Sequence, residues 1–172
     1  MTIRHLLSVA LCVLMLVVIP TAGVEGLQAQ TADPTIDFTR DDPEMNAAIN
    51  AARGSLDAVL TRLEDAELLD QVLSLKVAMP TPDNTYEHIF FDRIKRLGPQ
   101  EFEGTMANEP VNLPGKSFGE RYRFEHGQIS DWVVFIGEKI HGAYTLRVML
   151  PRMPPEDAEP LRQQLAPLPG TN

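Results

Sequence analysis

The side chains with most chemical promise lie between Asn108 and Arg147. Asp131 sits beside Trp132, the only tryptophan, and the pair offers a general base next to a platform on which a ligand could stack. The same two residues also read as structure: an aspartate bonding its own backbone at the turn into a strand, and an indole anchoring the core. Asn108 and Glu109 precede Pro110. Glu109 and Asp131 facing each other across a cleft, with His126 nearby, would form a carboxylate-based hydrolase, since paired acids at about 5–10 Å cleave glycosidic bonds. A turn-forming Asn with a solvated Glu is the plainer account. In the last cluster, Gly142, Tyr144, Thr145 and Arg147, the guanidinium could clamp a ligand carboxylate or fasten internally to Asp131 or Glu109; the internal pair is the favoured reading.

The remaining chemistry-bearing residues are His88, His126 and His141. Zinc takes three or four ligands at recognisable spacings, and these histidines have none. Glu87 and His88 on a strand would point to opposite faces, while His126 and His141, each before a glycine, read as turn residues. The sequence therefore implies neither metal nor cofactor. It holds no G-x-S-x-G elbow, phosphate-cradling glycine loop or dinucleotide fingerprint.

Several elements must position these groups. Asp42-Pro43-Glu44 supplies an N-cap, a proline at the first helical position and an acid in the first turn. Met45, Ala48, Ile49, Ala52, Leu56, Val59, Leu60 and Leu63 then recur at three- and four-residue steps, predicting an amphipathic helix over about 43–64. From Val72 the period becomes two. Strands are predicted over 72–79, 86–94, 101–107 and 119–124, separated by proline and glycine turns, with Trp132 to Ile136 as a central, covered strand. Ala143 to Leu150 fits either period, and the reading leans to helix. Ala158, Leu161 and Leu165 suggest a last short helix starting near Glu159, which keeps Pro160 out of its interior.

The totals narrow the classes. The 172 residues suit one domain, and a formal charge of -9 disfavours nucleic acid and anionic membrane surfaces as partners. The densest basic run, Arg93 to Arg96, reads as a solvated strand end. Arg4 followed by the apolar run Leu6 to Ile19 and small residues describes a secretory signal, placed at 1–29 with cleavage after Ala29. That run is short of the ~20 apolar residues of a membrane anchor, the alternative. Cys12, the only cysteine, falls inside it, so the processed chain would carry no thiol or disulfide. Residues 30–41 read as a flexible lead-in, 42–166 as the domain and 167–172 as a disordered tail.

With ANEPV at 107–111, ISDW at 129–132 and GAYTLRVML at 142–150, the chain resembles the YegJ-like domains, a bacterial family of unknown function. DPEMNAAINAAR at 42–53 and LKVAMP with EHIFFD at 75–92 match the same family's helix and first hairpin. Phe91 stands where a tryptophan is expected, and Ser117 to Glu120 replaces a Leu-Gly-Asp pattern. The resemblance implies a fold and brings no catalytic residues with it.

The expectation is an α+β domain: a long N-terminal amphipathic helix on a curved, mainly antiparallel sheet of about five strands, with short C-terminal helices. Its function is expected to be that of an exported, periplasmic or secreted, non-catalytic module. It would bind a protein or small ligand through Asn108, Asp131, Trp132, Tyr144 and Arg147, without engaging the membrane after signal cleavage. The hydrolase using Glu109, Asp131 and His126, and a purely structural envelope protein, are the competing readings.

Overall fold

The computed structural model describes residues 42–168. Residues 1–41 and 169–172, on which the expected signal, lead-in and end of the tail fall, lie outside them. Helix α1 runs Pro43–Asp65, opened by Asp42, whose Oδ1 accepts from the amides of Glu44 and Met45 at 3.0 Å each. This is the side-chain cap that a helix start requires, and Arg152 holds the other carboxylate oxygen at 3.0 Å. A short helix α2, Leu69–Val72, leads into β1 (Leu73–Pro80), β2 (Tyr86–Arg96), β3 (Glu101–Met106), β4 (Arg121–Glu125), β5 (Ile129–Ile136) and β6 (Lys139–Gly142). Helices α3 (Tyr144–Met149) and α4 (Pro155–Gln164) follow.

The fold is α+β, with six strands rather than about five in one antiparallel sheet of order β4-β3-β2-β1-β5-β6. The additional strand is β6, whose His141 and Gly142 read locally as a turn. Pairing with β5 makes it a strand, through a two-residue connection in which Gly137 takes the positive φ, +58°, that a tight hairpin demands. A second correction concerns β5. It lies one strand from the sheet edge, and although Trp132, Val133 and Val134 are buried, Phe135 and Ile136 are 50% and 58% exposed. The third is α4, which starts at Pro155 and keeps Pro160 inside. A proline there forfeits one helical hydrogen bond, and the short helix is held by its buried Ala158 and by Arg162 donating to the Leu150 carbonyl.

One face of the sheet carries the core. Leu73, Leu75, Val77 and Met79 of β1 pack with Ile89, Phe91 and Ile94 of β2, with Phe102, Met106, Phe124, Trp132 and Val134, and with Ala52, Leu56, Leu60 and Leu63 of α1. Strict alternation sends Ser74, Lys76 and Ala78 of β1, and His88, Phe90 and Asp92 of β2, to the other face. None of these six is buried, so that face stays open to solvent.

Two glycines separate close packing from mere chain length. Gly142 has φ +77°, and a Cβ there would fall on the Trp132 ring and carbonyl. Gly54 lies exposed in α1 with nothing near a Cβ. Gly142→Ala should lower stability by roughly 2–5 kcal/mol, from strained backbone and overpacking together. Gly54→Ala should raise it by roughly 0.5–1 kcal/mol. Denaturant midpoints of the two variants test both signs.

Candidate functional site

The candidate residues converge on the start of β5. Its register with β1 slips there: Lys76 faces Asp131 and Val77 faces Ile129, leaving Ser130 as an extra residue. Such a bulge re-aims side chains. Ile129 and Trp132 both reach the core, Ser130 stays against β1, and Asp131 reaches the beginning of α3.

Asp131 is 1% exposed, and both its oxygens are occupied. Oδ1 accepts from the Trp132 amide at 2.8 Å and the Tyr144 amide at 3.1 Å. Oδ2 accepts from the Thr145 amide and the Thr145 hydroxyl, both at 2.7 Å. The residue preceding α3, Ala143, has left-handed backbone (φ +53°) and no capping side chain. Asp131 therefore performs from a neighbouring strand the task an N-cap residue performs from within its own helix. Trp132 lies on the core side, 2% exposed, with Nε1 donating to the Ala52 carbonyl at 3.1 Å and to Ser55 Oγ at 3.0 Å. Tyr144 meets it edge-on at 5.7 Å between centroids, and its hydroxyl lies 3.1 Å from the same Ser55 oxygen. Asp131, Trp132 and Tyr144 are thus brought together, facing inward.

The other candidates stand apart. Asn108 Oδ1 accepts from the Phe90 amide at 2.8 Å, closing the ladder where β3 ends. Arg147 pairs with neither Asp131 nor Glu109, a correction to the expected ion pair. Its Nε donates to the Gly142 carbonyl at 3.0 Å and a terminal nitrogen to the Ala166 carbonyl at 2.5 Å. The physical reason is that Asp131 already accepts four hydrogen bonds, whereas the carbonyls at the end of β6 and just after α4 accept from Arg147. Glu109 Oε2 accepts from the Phe118 amide at 3.0 Å in the β3–β4 loop. His126 occupies a 3₁₀ turn with Nε2 3.3 Å from Asp57 of α1. The acids of the hydrolase reading are engaged by different neighbours, and the His126 Nε2 lies near Asp57 without a hydrogen bond. Among the described residues no group of three or more His, Cys, Asp or Glu side chains converges as a metal site.

What the sequence reading missed is Lys76. It stands in the polar phase of β1, directly opposite both Asp131 and Phe90. Its Nζ lies 3.3 Å from Thr145 Oγ1 and 5.6 Å from the centre of the Phe90 ring. Burial holds its ammonium below the usual lysine range, an effect opposed by the Asp131 charge. A lone lysine in the outward phase of β1, between Ser74 and Ala78, was the available signal. Next to it His88, opposite Ala78, places Nδ1 2.8 Å from Ser130 Oγ, which donates to the Lys76 carbonyl at 3.1 Å. With the Ser130 proton directed to that carbonyl, the histidine nitrogen is the donor. Although the residue is exposed, desolvation of the imidazole, then the charges of Lys76 and Arg53, push it down to about 4. The open face thus displays a cation, a neutral imidazole and an aromatic ring, with Asp131 beneath.

Two outcomes follow. Asp131→Asn should cost roughly 3–5 kcal/mol, since an amide cannot accept all four bonds and leaves buried donors unmatched. Exchange of the Tyr144 and Thr145 amides should accelerate with it, whereas Glu109→Gln, at an exposed loop, should stay within about 1 kcal/mol. His88 has an acid signature. An unfolded ring titrates near 6.5 and the folded one at about 4, so the unfolded chain takes up the proton first as pH falls. The His88 contribution is steady above 6.5 and stability declines from 6.5 towards 4; His88→Gln should flatten that segment of a stability-against-pH curve.

Comparison with known proteins gives the chain its relatives. It is 27% identical over 157 residues to the protein described as "Uncharacterized protein YegJ" of Escherichia coli (strain K12), across 90% of this chain and 96% of that one. No solved structure matches it. A family model described as "Uncharacterized protein conserved in bacteria (DUF2314)" matches residues 42–166. The chain belongs to that bacterial family.

Proposed function

We propose that this chain is an exported binding domain of the bacterial cell envelope that engages a protein or small ligand through the open face of its sheet, without chemistry of its own. The observation that carries the reading is the contrast between the two faces. On the core side, Trp132 and Tyr144 are buried, while Asp131, opposite Lys76, is enclosed by the start of α3. On the other, half-buried Lys76 and Phe90 and exposed His88 form a polar and aromatic surface. A desolvated lysine with a single 3.3 Å hydrogen bond retains donors for a partner, and an aromatic ring beside it offers contact area. Asn108, fixed to the Phe90 amide, supports this face, while Arg147 is fixed to the Gly142 and Ala166 carbonyls. Export rests on the sequence of residues 1–29. Among the described residues no helix is long and apolar enough to cross a membrane.

The test is photo-crosslinking in living cells, with a photoreactive residue at position 88 and, as comparison, at Arg62 on the exposed side of α1. A discrete adduct from position 88, absent with Lys76→Met, is the expected result. Equal yields from both positions would count against the open face. The chain recovered from the envelope fraction should begin at Gln30, and recovery of the unprocessed chain from the cytoplasm would remove the export half of the reading.

A further inference from the structure

Where the start of β1 meets the far part of β2 lies a cavity of about 280 Å³, lined by Asp70, Gln71, Ser74, Asp92, Arg93 and Phe135 among others. The sheet builds it through a second bulge. After Phe91, which is in the core, alternation would turn position 93 inward against Gly104. Instead the register with β3 slips between Asp92 and Lys95, Arg93 takes φ +53°, and Ile94 fills the core position at 1% exposure. Gly104 makes that possible, since a Cβ there would stand 2.9 Å from Ile94 Cδ1 and 3.0 Å from Phe91 Cβ. The guanidinium is thereby turned out to the cavity wall. Left-handed backbone is unfavourable for a residue other than glycine, and it is tolerated where the surrounding structure demands it.

The wall is chemically mixed. Arg93 has neither hydrogen bond nor ion pair to another described residue, whereas Arg96 is engaged by Glu64 and by the carbonyls of Gly98 and Pro99. Asp92 Oδ1 holds the Ser74 hydroxyl, and Oδ2 has no partner among the described residues. Asp70 is exposed at the mouth, and Phe135, half exposed, supplies an apolar wall.

We propose that this groove binds a small zwitterion of the α-amino-acid class. Its carboxylate would sit on Arg93, its ammonium on Asp92 with Asp70, and its side chain against Phe135. Charge decides the class. Two acids against one guanidinium disfavour a dianion, and a simple monocarboxylate would leave both acids unmatched; a zwitterion answers all of them. Size agrees, because the volume falls just below the ~300–1,000 Å³ of pockets for drug-sized ligands. The inference does not depend on the Lys76–His88 surface.

The test is an amide NMR titration of the full chain with L-phenylalanine, L-phenylalanine amide and 3-phenylpropionate. Saturable shifts at Ser74, Asp92, Arg93 and Phe135 are expected with L-phenylalanine, with at least tenfold weaker binding of the two analogues. Arg93→Gly and Arg93→Asn, both suited to left-handed backbone, should each abolish binding; the second keeps the test open if the first fails to fold. His88→Gln should leave it unchanged, which separates this groove from the surface proposed above. Absence of saturable shifts, equal binding of either analogue, or binding retained in a folded Arg93 variant would overturn the proposal.

Discussion

The carboxylate of Asp131 is the point on which the structure turns. A buried acid is unfavourable unless donors surround it, and here every donor comes from the backbone or hydroxyl of three residues: its own successor Trp132, and Tyr144 and Thr145 at the start of α3. In return α3, a single short helix with no cap of its own, receives one. The same contact sets the indole. With the Trp132 amide tied to Asp131, the ring lies against Gly142 and reaches Ala52 and Ser55 of α1 through its nitrogen. One acid thereby joins α3, the β5–β6 hairpin and the first helix. Lys76 on the next strand supplies a nearby opposite charge, which lessens the cost of enclosing both.

The two bulges explain how an acid, a serine and an arginine find places in a sheet whose alternation would otherwise bury some of them. Period two is unforgiving: a slip of one residue exchanges the two faces for everything beyond it. In β5 the extra Ser130 lets Ile129 and Trp132, three apart, both enter the core. In β2 the extra Arg93 does the same for Phe91 and Ile94. Each bulge therefore preserves the apolar face and places polar side chains where strand geometry alone would not put them.

Much of this was legible in the residues. Asp42-Pro43 marked the helix start, and the paired runs on either side of Pro80 to Asn84 marked the first hairpin, because capping and turn chemistry are local. Strand β6 was not legible, since four residues including a glycine acquire their conformation from pairing with β5 rather than from propensity. Pro160 argued against the helix that contains it because the tertiary contacts of Ala158 and Arg162 are invisible in sequence. The polar residues of 129–147 were found as a set, yet their inward direction was not, for direction depends on the bulge. The spacing of Ile129 to Trp132 and of Phe91 to Ile94, three where two is the rule, carried that information in the sequence.

The bulge that turns Asp131 toward α3 also decides what the open face can offer. Because the Ser130 side chain of β5 lies against β1 and reaches the His88 ring of β2, its hydroxyl is committed to the Lys76 carbonyl and so can only accept from His88. A serine whose proton points at a main-chain carbonyl, 1% exposed, is poorly placed to become a nucleophile, and a histidine held neutral as a donor is poorly placed to become its base. What the arrangement does instead is fix the orientation of the imidazole beside the Lys76 ammonium and the Phe90 ring. Fixed donors and a fixed aromatic surface lower the ordering cost of association, which is the property recognition requires.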